Sequence, residues 1–269
     1  MADDLTELQS KAYRLADNKT AELANWDFSL LNFELDAILE SHTLNMEDFG
    51  FEFDIDTTDS KNERLRTDNS YNLRHISKDD CSGEWEMPTI ECQGHTPKDL
   101  IPFNCAKTSN EYSSGIHFFI DDYQFERVWN DLPGYVDILK KFDCVMSPDF
   151  SLYLDMPLPM KIWNVYRSRA VGHFWQKSGL TVIPTLSWAG PETFVFCFEG
   201  IPQGSIVAVS TIGIKNSART KAIWHDGMAE AIRQLEPETV LVYGSSTGFD
   251  FGNTKTIEYP TFTEVRHGR

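Results

Sequence analysis

The sequence predicts an α/β protein: a mainly parallel sheet with flanking helices, either doubly wound or an incomplete barrel, preceded by a small N-terminal helical segment. Three observations lead there. Short continuous apolar runs recur through the C-terminal half, as in strands buried on both faces. Helix-length periodic segments separate them. Acids and small polar residues stand directly after the runs, where open α/β folds bind ligands.

At 269 residues, with 41% hydrophobic and 13% aromatic content, the chain can bury one substantial core and a smaller appendage. The net charge of −17 is uneven, because Met1 to Ser60 holds 15 acids against 3 bases. Such a balance opposes sequence-independent DNA binding, which draws its energy from phosphate neutralisation. Contact with nucleic acid would need a local basic patch, and Lys61, Arg64, Arg66, Arg74, His75 and Lys78 supply the one run of that kind. No apolar stretch approaches the length of a membrane span, and Met1-Ala2-Asp3-Asp4 does not begin a signal peptide. The expectation is a cytoplasmic protein with no membrane contact, its five well-separated cysteines free.

From residue 1 to 52, Leu5, Leu8, Leu15, Leu23 and Trp26, then Leu30, Leu31, Ile38 and Leu39, recur at three-and-four spacing. They predict two or three amphipathic helices, with Thr6 placed to cap the first. Apolar faces this large call for a protein partner or for the rest of the chain. The string ADDLTELQSKAYRLADNKTAELANWDFSLLNFELDAILE, ending in MEDFGFE, resembles the helical C-terminal part of a ParB/sulfiredoxin-like domain. That family's β-rich first half, with its phosphate-binding motif, would lie upstream of Met1, and Asn18 alone matches a position near its nucleotide site. The resemblance implies a ParB-like remnant in a mobile-element protein.

Residues 53–110 read as polar linker or ordered coil, rich in acids, Ser, Thr, Pro and Gly. Cys81, Cys92, His95 and Cys105 are candidate zinc ligands, of which Cys92 and His95 have chelate spacing while the other gaps are long.

The α/β domain is expected over 111–265. Ile116 to Ile120 is an apolar run ended by Asp121-Asp122, followed by helical spacing from Phe125 to Phe142. Cys144 to Met146 leads through Pro148-Asp149 into a helix from Pro159 to Lys177. Further apolar runs follow at Leu180 to Pro184, Phe194 to Phe198 and Ile206 to Ser210. A helix from Thr220 to Leu235, closed by Pro237, precedes a last apolar strand at Val240 to Tyr243. Cys144 and Cys197 lie within apolar runs and read as buried and inert.

The rim of such a sheet would carry Asp121, Asp122, Asp149, Trp188, Ser210 and Ser245, with Asp155, Asn164, Tyr166, Arg167 and Arg169 opposite. Carboxylates facing guanidinium groups suit phosphate chemistry, with Mg²⁺ between Asp121 and Asp149 and a phosphate clamped by Arg167 or Arg169. Asp121, Asp122, Asp149 and Arg167 are the catalytic candidates; Asp155, Asn164, Tyr166, Arg169, Trp188, Ser210 and Ser245 are the binding ones. The loop from Val242 to Gly248 has the look of a phosphate cradle but no Lys.

The words FFIDDYQFERVW, SPDFSLYLDMP, IWNVYRSR, VIPTLSW, GIP and VAVST, then VLVYG, resemble a phage- and plasmid-associated family catalogued as domain of unknown function 4417. The resemblance implies a mobile-element protein of DNA metabolism, in replication, partition or modification, with nucleotide or nucleic acid as ligand and metal-dependent phosphoryl transfer or nuclease action as candidate chemistries. Rolling-circle replication needs a His-hydrophobic-His pair, which the sequence lacks: His117 and His173 each stand alone. The alternative is a non-enzymatic phage protein that sequesters a host or defence factor through its acidic N-terminal helices.

Overall fold

The computed structural model describes residues 6–12, 71–214, 217–261 and 264. The chain divides into two units, Met1–Leu65 and Arg66–Arg269. In the first, residues 7–12 are helical and Thr6 caps them as expected: its hydroxyl accepts from the Gln9 N–H at 3.3 Å, and its own N–H donates to Gln9 Oε1 at 2.9 Å. The remaining N-terminal helices, Asn18 and the basic residues Lys61 to Arg66 lie outside the described residues.

The second unit opens with an antiparallel pair, β1 (Cys81–Ser82) and β2 (Met87–Pro88). Among the described residues, seven parallel strands follow. They are β3 (Leu100–Pro102), β4 (Gly115–His117), β5 (Cys144–Met146), β6 (Val182–Ile183), β7 (Ile206–Ser210), β8 (Thr239–Tyr243) and β9 (Lys255–Tyr259). β3 to β6 pair in that order, with Ile101 beside Ile116, Ile116 beside Val145 and Val145 beside Val182. β7 to β9 form a second sheet, and a parallel bridge between Thr185 and Ala208 joins the two.

Strand order therefore follows chain order throughout, without the reversal that a doubly wound sheet requires. The sheet curls instead. Phe119, Cys144, Met146, Ile183, Ala208, Leu241, Tyr243 and Tyr259 pack into one inner cluster that Leu100 of β3 also joins. The Tyr259 hydroxyl, at the end of the last strand, donates to the Pro97 carbonyl just ahead of β3 at 2.6 Å. No strand pairing closes β9 onto β3, so the barrel is incomplete.

Helices cover the outer face. α1 (Arg127–Asn130) and α2 (Val136–Leu139) follow β4, α3 (Leu158–Lys177) follows β5, and α4 (Ala218–Leu235) follows β7. α3 starts at Leu158-Pro159, where a missing N–H costs nothing, and ends before Gly179, whose φ of 88° an L-residue resists. It is buried on most of its circumference, with Val171 and Trp175 in one outer cluster and Val165 in another. α4 is capped by Ser217, whose side chain accepts from the Thr220 N–H at 3.0 Å.

Three segments depart from expectation. The Phe125–Phe142 pattern is two short helices, because Asp131 leaves the helical region, its carboxylate accepts the Gly134 N–H at 3.0 Å, and Pro133 begins a new turn. Phe194 to Phe198 is a run of turns, not a strand: the Cys197 N–H donates to the Thr193 carbonyl at 2.9 Å. The sheet also begins at β3, inside the segment read as coil, and gains β9, whose half-exposed sequence KTIEY lacks the apolar run of an interior strand.

Candidate functional site

The segments that follow β4, β5, β6 and β7 line a cavity of about 1050 Å³ beyond those strands. β4 contributes Asp121, Asp122 and Tyr123; β5, Asp149 and Ser151; β6, Ser187 and Trp188; β7, Ser210. Thr220 and Trp224 of α4 complete the wall. The position is the one that curled parallel sheets reserve for ligands.

The floor is fixed by hydrogen bonds. Ser147 and Thr185 are buried and lock the strand ends together. Thr185 donates its hydroxyl to the Ser147 carbonyl at 2.6 Å and its N–H to Ser147 Oγ at 2.9 Å, and Ser168 of α3 joins them at 3.1 Å. Asp122 is held by Ser151, whose N–H and hydroxyl donate to its two oxygens at 3.0 and 2.7 Å. Asp149 is recessed and only partly open to the cavity. Burial pushes its carboxyl up to about 7, a hydrogen bond with Ser187 opposes that rise, and the nearby charge of Asp122 adds to it.

Of the candidate residues, Asp121, Asp122, Asp149, Trp188 and Ser210 line the cavity together. Arg167, Arg169, Asn164, Tyr166, Asp155 and Ser245 are not among its lining residues. Arg167 lies behind the wall: it pairs with Glu126, donates to Asn164 Oδ1 at 2.7 Å and stacks 3.9 Å above the Phe150 ring. Asn164 in turn donates to the Ser151 carbonyl at 2.8 Å, and the Glu126 N–H donates to the Asp122 carbonyl at 2.8 Å. Arg167 therefore closes a ring of bonds that holds Asp122 from behind. Arg169 is buried and spends its guanidinium on the carbonyls of Glu199, Thr185 and Cys197 at 3.0, 3.1 and 2.8 Å.

Tyr166 stacks on Trp163 at 5.7 Å, and Asp155 is exposed in the turn before α3. The Ser245 loop meets an acid where a phosphate cradle would need a free amide, since the Ser246 N–H donates to Glu258 Oε1 at 2.7 Å. Leu154, Ile212 and Trp224 line the cavity without a signal in the sequence, because they occupy loop or helix positions with no marked pattern.

Among the described residues, no three His, Cys, Asp or Glu side chains are grouped to hold a metal ion. Cys81 donates to the Ser77 carbonyl, Cys92 to that of Gly204, and His95 meets Asp143 at 2.7 Å, so three of the four candidate zinc ligands have separate partners. In the cavity, both Asp122 oxygens already accept from Ser151 and Asp149 retains its proton to near neutrality. A Mg²⁺ ion there would have to compete with the Ser151 bonds and with that proton. Cys144 and Cys197 are buried, and burial raises both thiols, Cys197 to about 12.

An incomplete parallel barrel with an acid-lined cavity at the C-terminal ends of its strands defines an α/β protein of the open-barrel type. The chain belongs to the family described as domain of unknown function DUF4417, whose model matches residues 79–260. It is 38% identical over 190 residues to the Gene 1 protein of Mycobacterium phage D29, covering 69% of this chain and 70% of that protein. Against the Gene 1 protein of Mycobacterium phage L5 it is 38% identical over 190 residues, covering 82% of that protein. No solved structure matches it. Among the described residues, no helix is long and apolar enough to cross a membrane.

Proposed function

We propose that the strand-end cavity is the working site of a phage-type protein of DNA metabolism, and that Asp149 is its proton-exchanging group. One observation carries this reading: two carboxylates share the cavity floor in opposed environments. Asp122 accepts two hydrogen bonds, while Asp149 is desolvated and titrates near 7. Carboxyl pairs whose surroundings separate them in this way serve as acid and base. Arg167 and Asn164 act as positioning residues, because they hold the Ser151 turn and through it Asp122.

The nucleotide or DNA-phosphate ligand expected from the sequence meets three carboxylates and, among the described lining residues, no Lys, Arg or His. A phosphate could enter only with a divalent cation bridging it to Asp121, Asp122 or Asp149. Aromatic walls at Trp188 and Tyr153 and the phage origin of the relatives favour this second reading.

Native mass spectrometry of the purified full chain tests the working site by any retained ligand. Tryptophan emission against pH tests its titrating group. The difference between wild type and Trp188→Phe should show a transition near pH 7 that Asp149→Asn removes. No retained ligand, together with a flat emission profile, would sink the proposal.

A further inference from the structure

We propose that the group selected by this cavity is an organic cation, a guanidinium or a primary amine, presented on an apolar-flanked segment of another protein. The inference rests on the reading that the cavity is the working site, and it names what that site takes.

Charge is the first reason. The described walls carry Asp121, Asp122 and Asp149 and no basic side chain. Two described cations behind them are already matched, Lys161 by Glu192 at 2.7 Å and Arg167 by Glu126. Neither is turned into the cavity. Hydrogen-bond polarity points the same way. The indole N–H of Trp188 is spent on the Ile223 carbonyl at 3.2 Å, that of Trp224 on the Ser210 carbonyl at 3.0 Å, and both Ser151 donors on Asp122. These groups therefore turn acceptors and ring faces toward the cavity, which suits a cationic donor better than an anion.

The mouth decides the carrier. Tyr123 is 79% exposed, Tyr153 61%, Ile212 56% and Leu154 43%, and all four line the opening. Large exposed apolar side chains gathered around one cavity mark an interaction surface. A free polyamine would leave this collar in water. An arginine or lysine with apolar neighbours would cover it while its charged end reached the carboxylates.

The test uses the full chain and fluorescently labelled peptides with an apolar-Arg-apolar core, their citrulline counterparts, free spermidine, and ATP with Mg²⁺. The arginine peptide should bind, the citrulline peptide should bind at least about tenfold more weakly because charge-assisted bonds are lost, and Asp122→Asn and Tyr153→Ala should each weaken the arginine peptide. Equal binding of the citrulline peptide overturns the charge selection. Spermidine binding as tightly as the peptide overturns the protein carrier. If Mg-ATP binds in an Asp149-dependent way and no peptide does, the ligand class is wrong and the working site stands. If no probe alters Trp188 emission and Asp149→Asn changes nothing, both fall.

Discussion

Replacing Asp149 by Asn should stabilise the protein at alkaline pH, and the gain should disappear in acid. The carboxyl has an ordinary pKa of 3.8 and titrates at about 7 in the folded protein, chiefly through burial. A carboxyl with a raised folded-state pKa holds its proton more tightly when folded. Its ionisation then costs stability progressively as pH rises from about 4 to about 7. At about 1.4 kcal/mol per pH unit, that interval sets an upper limit of about 4 kcal/mol. Asp149 is partly open to a wet cavity, which reduces the expected gain to about 2 kcal/mol. Asn keeps an oxygen for the Ser187 hydrogen bond, so little else changes. Urea unfolding of both proteins from pH 5 to 8.5 provides the assay. The difference in midpoint should grow with pH and level off above 7. Parallel curves, or a variant less stable than wild type at pH 8, would refute the desolvation argument and with it the proton-exchanging role.

Three further outcomes follow from the geometry. Arg169→Met should cost at least about 3 kcal/mol in chemical denaturation, since it strands the buried carbonyls of Glu199, Thr185 and Cys197, and Arg169→Lys should recover less than half of that. Gly200→Ala should cost about 2 kcal/mol or more in thermal unfolding, because φ is 76° there and a Cβ would stand 2.5 Å from the Pro88 carbonyl oxygen. In a thiol-labelling time course on the native protein, exposed Cys92 should react first, while Cys144 and Cys197 react only on unfolding.

The helix Leu158–Lys177 and the strands at Cys144–Met146 and Ile206–Ser210 were legible because burial on both faces writes itself as unbroken apolar runs, and Pro and Gly mark the ends. β9 was not legible, because a strand that buries Tyr259 and leaves Lys255 exposed has a mixed pattern shared with many loops. The break at Asp131-Leu132-Pro133 has its own turn residues, but the helical spacing on both sides masks them.

By itself the sequence determined the class of fold and the carboxylates that follow its strands, since both depend on local periodicity and on which residues end an apolar run. Tertiary structure alone decided that the strands keep chain order and curl, so that Asp121 and Asp122 after β4 share one cavity with Asp149 after β5 and Ser210 of β7. It also decided what each buried guanidinium meets, backbone carbonyls for Arg169 and an acid for Arg167. Arg167 faces Glu126 because of how α3 is rotated against its neighbours, and that rotation is fixed by packing across the whole core, which spacing along one helix does not encode.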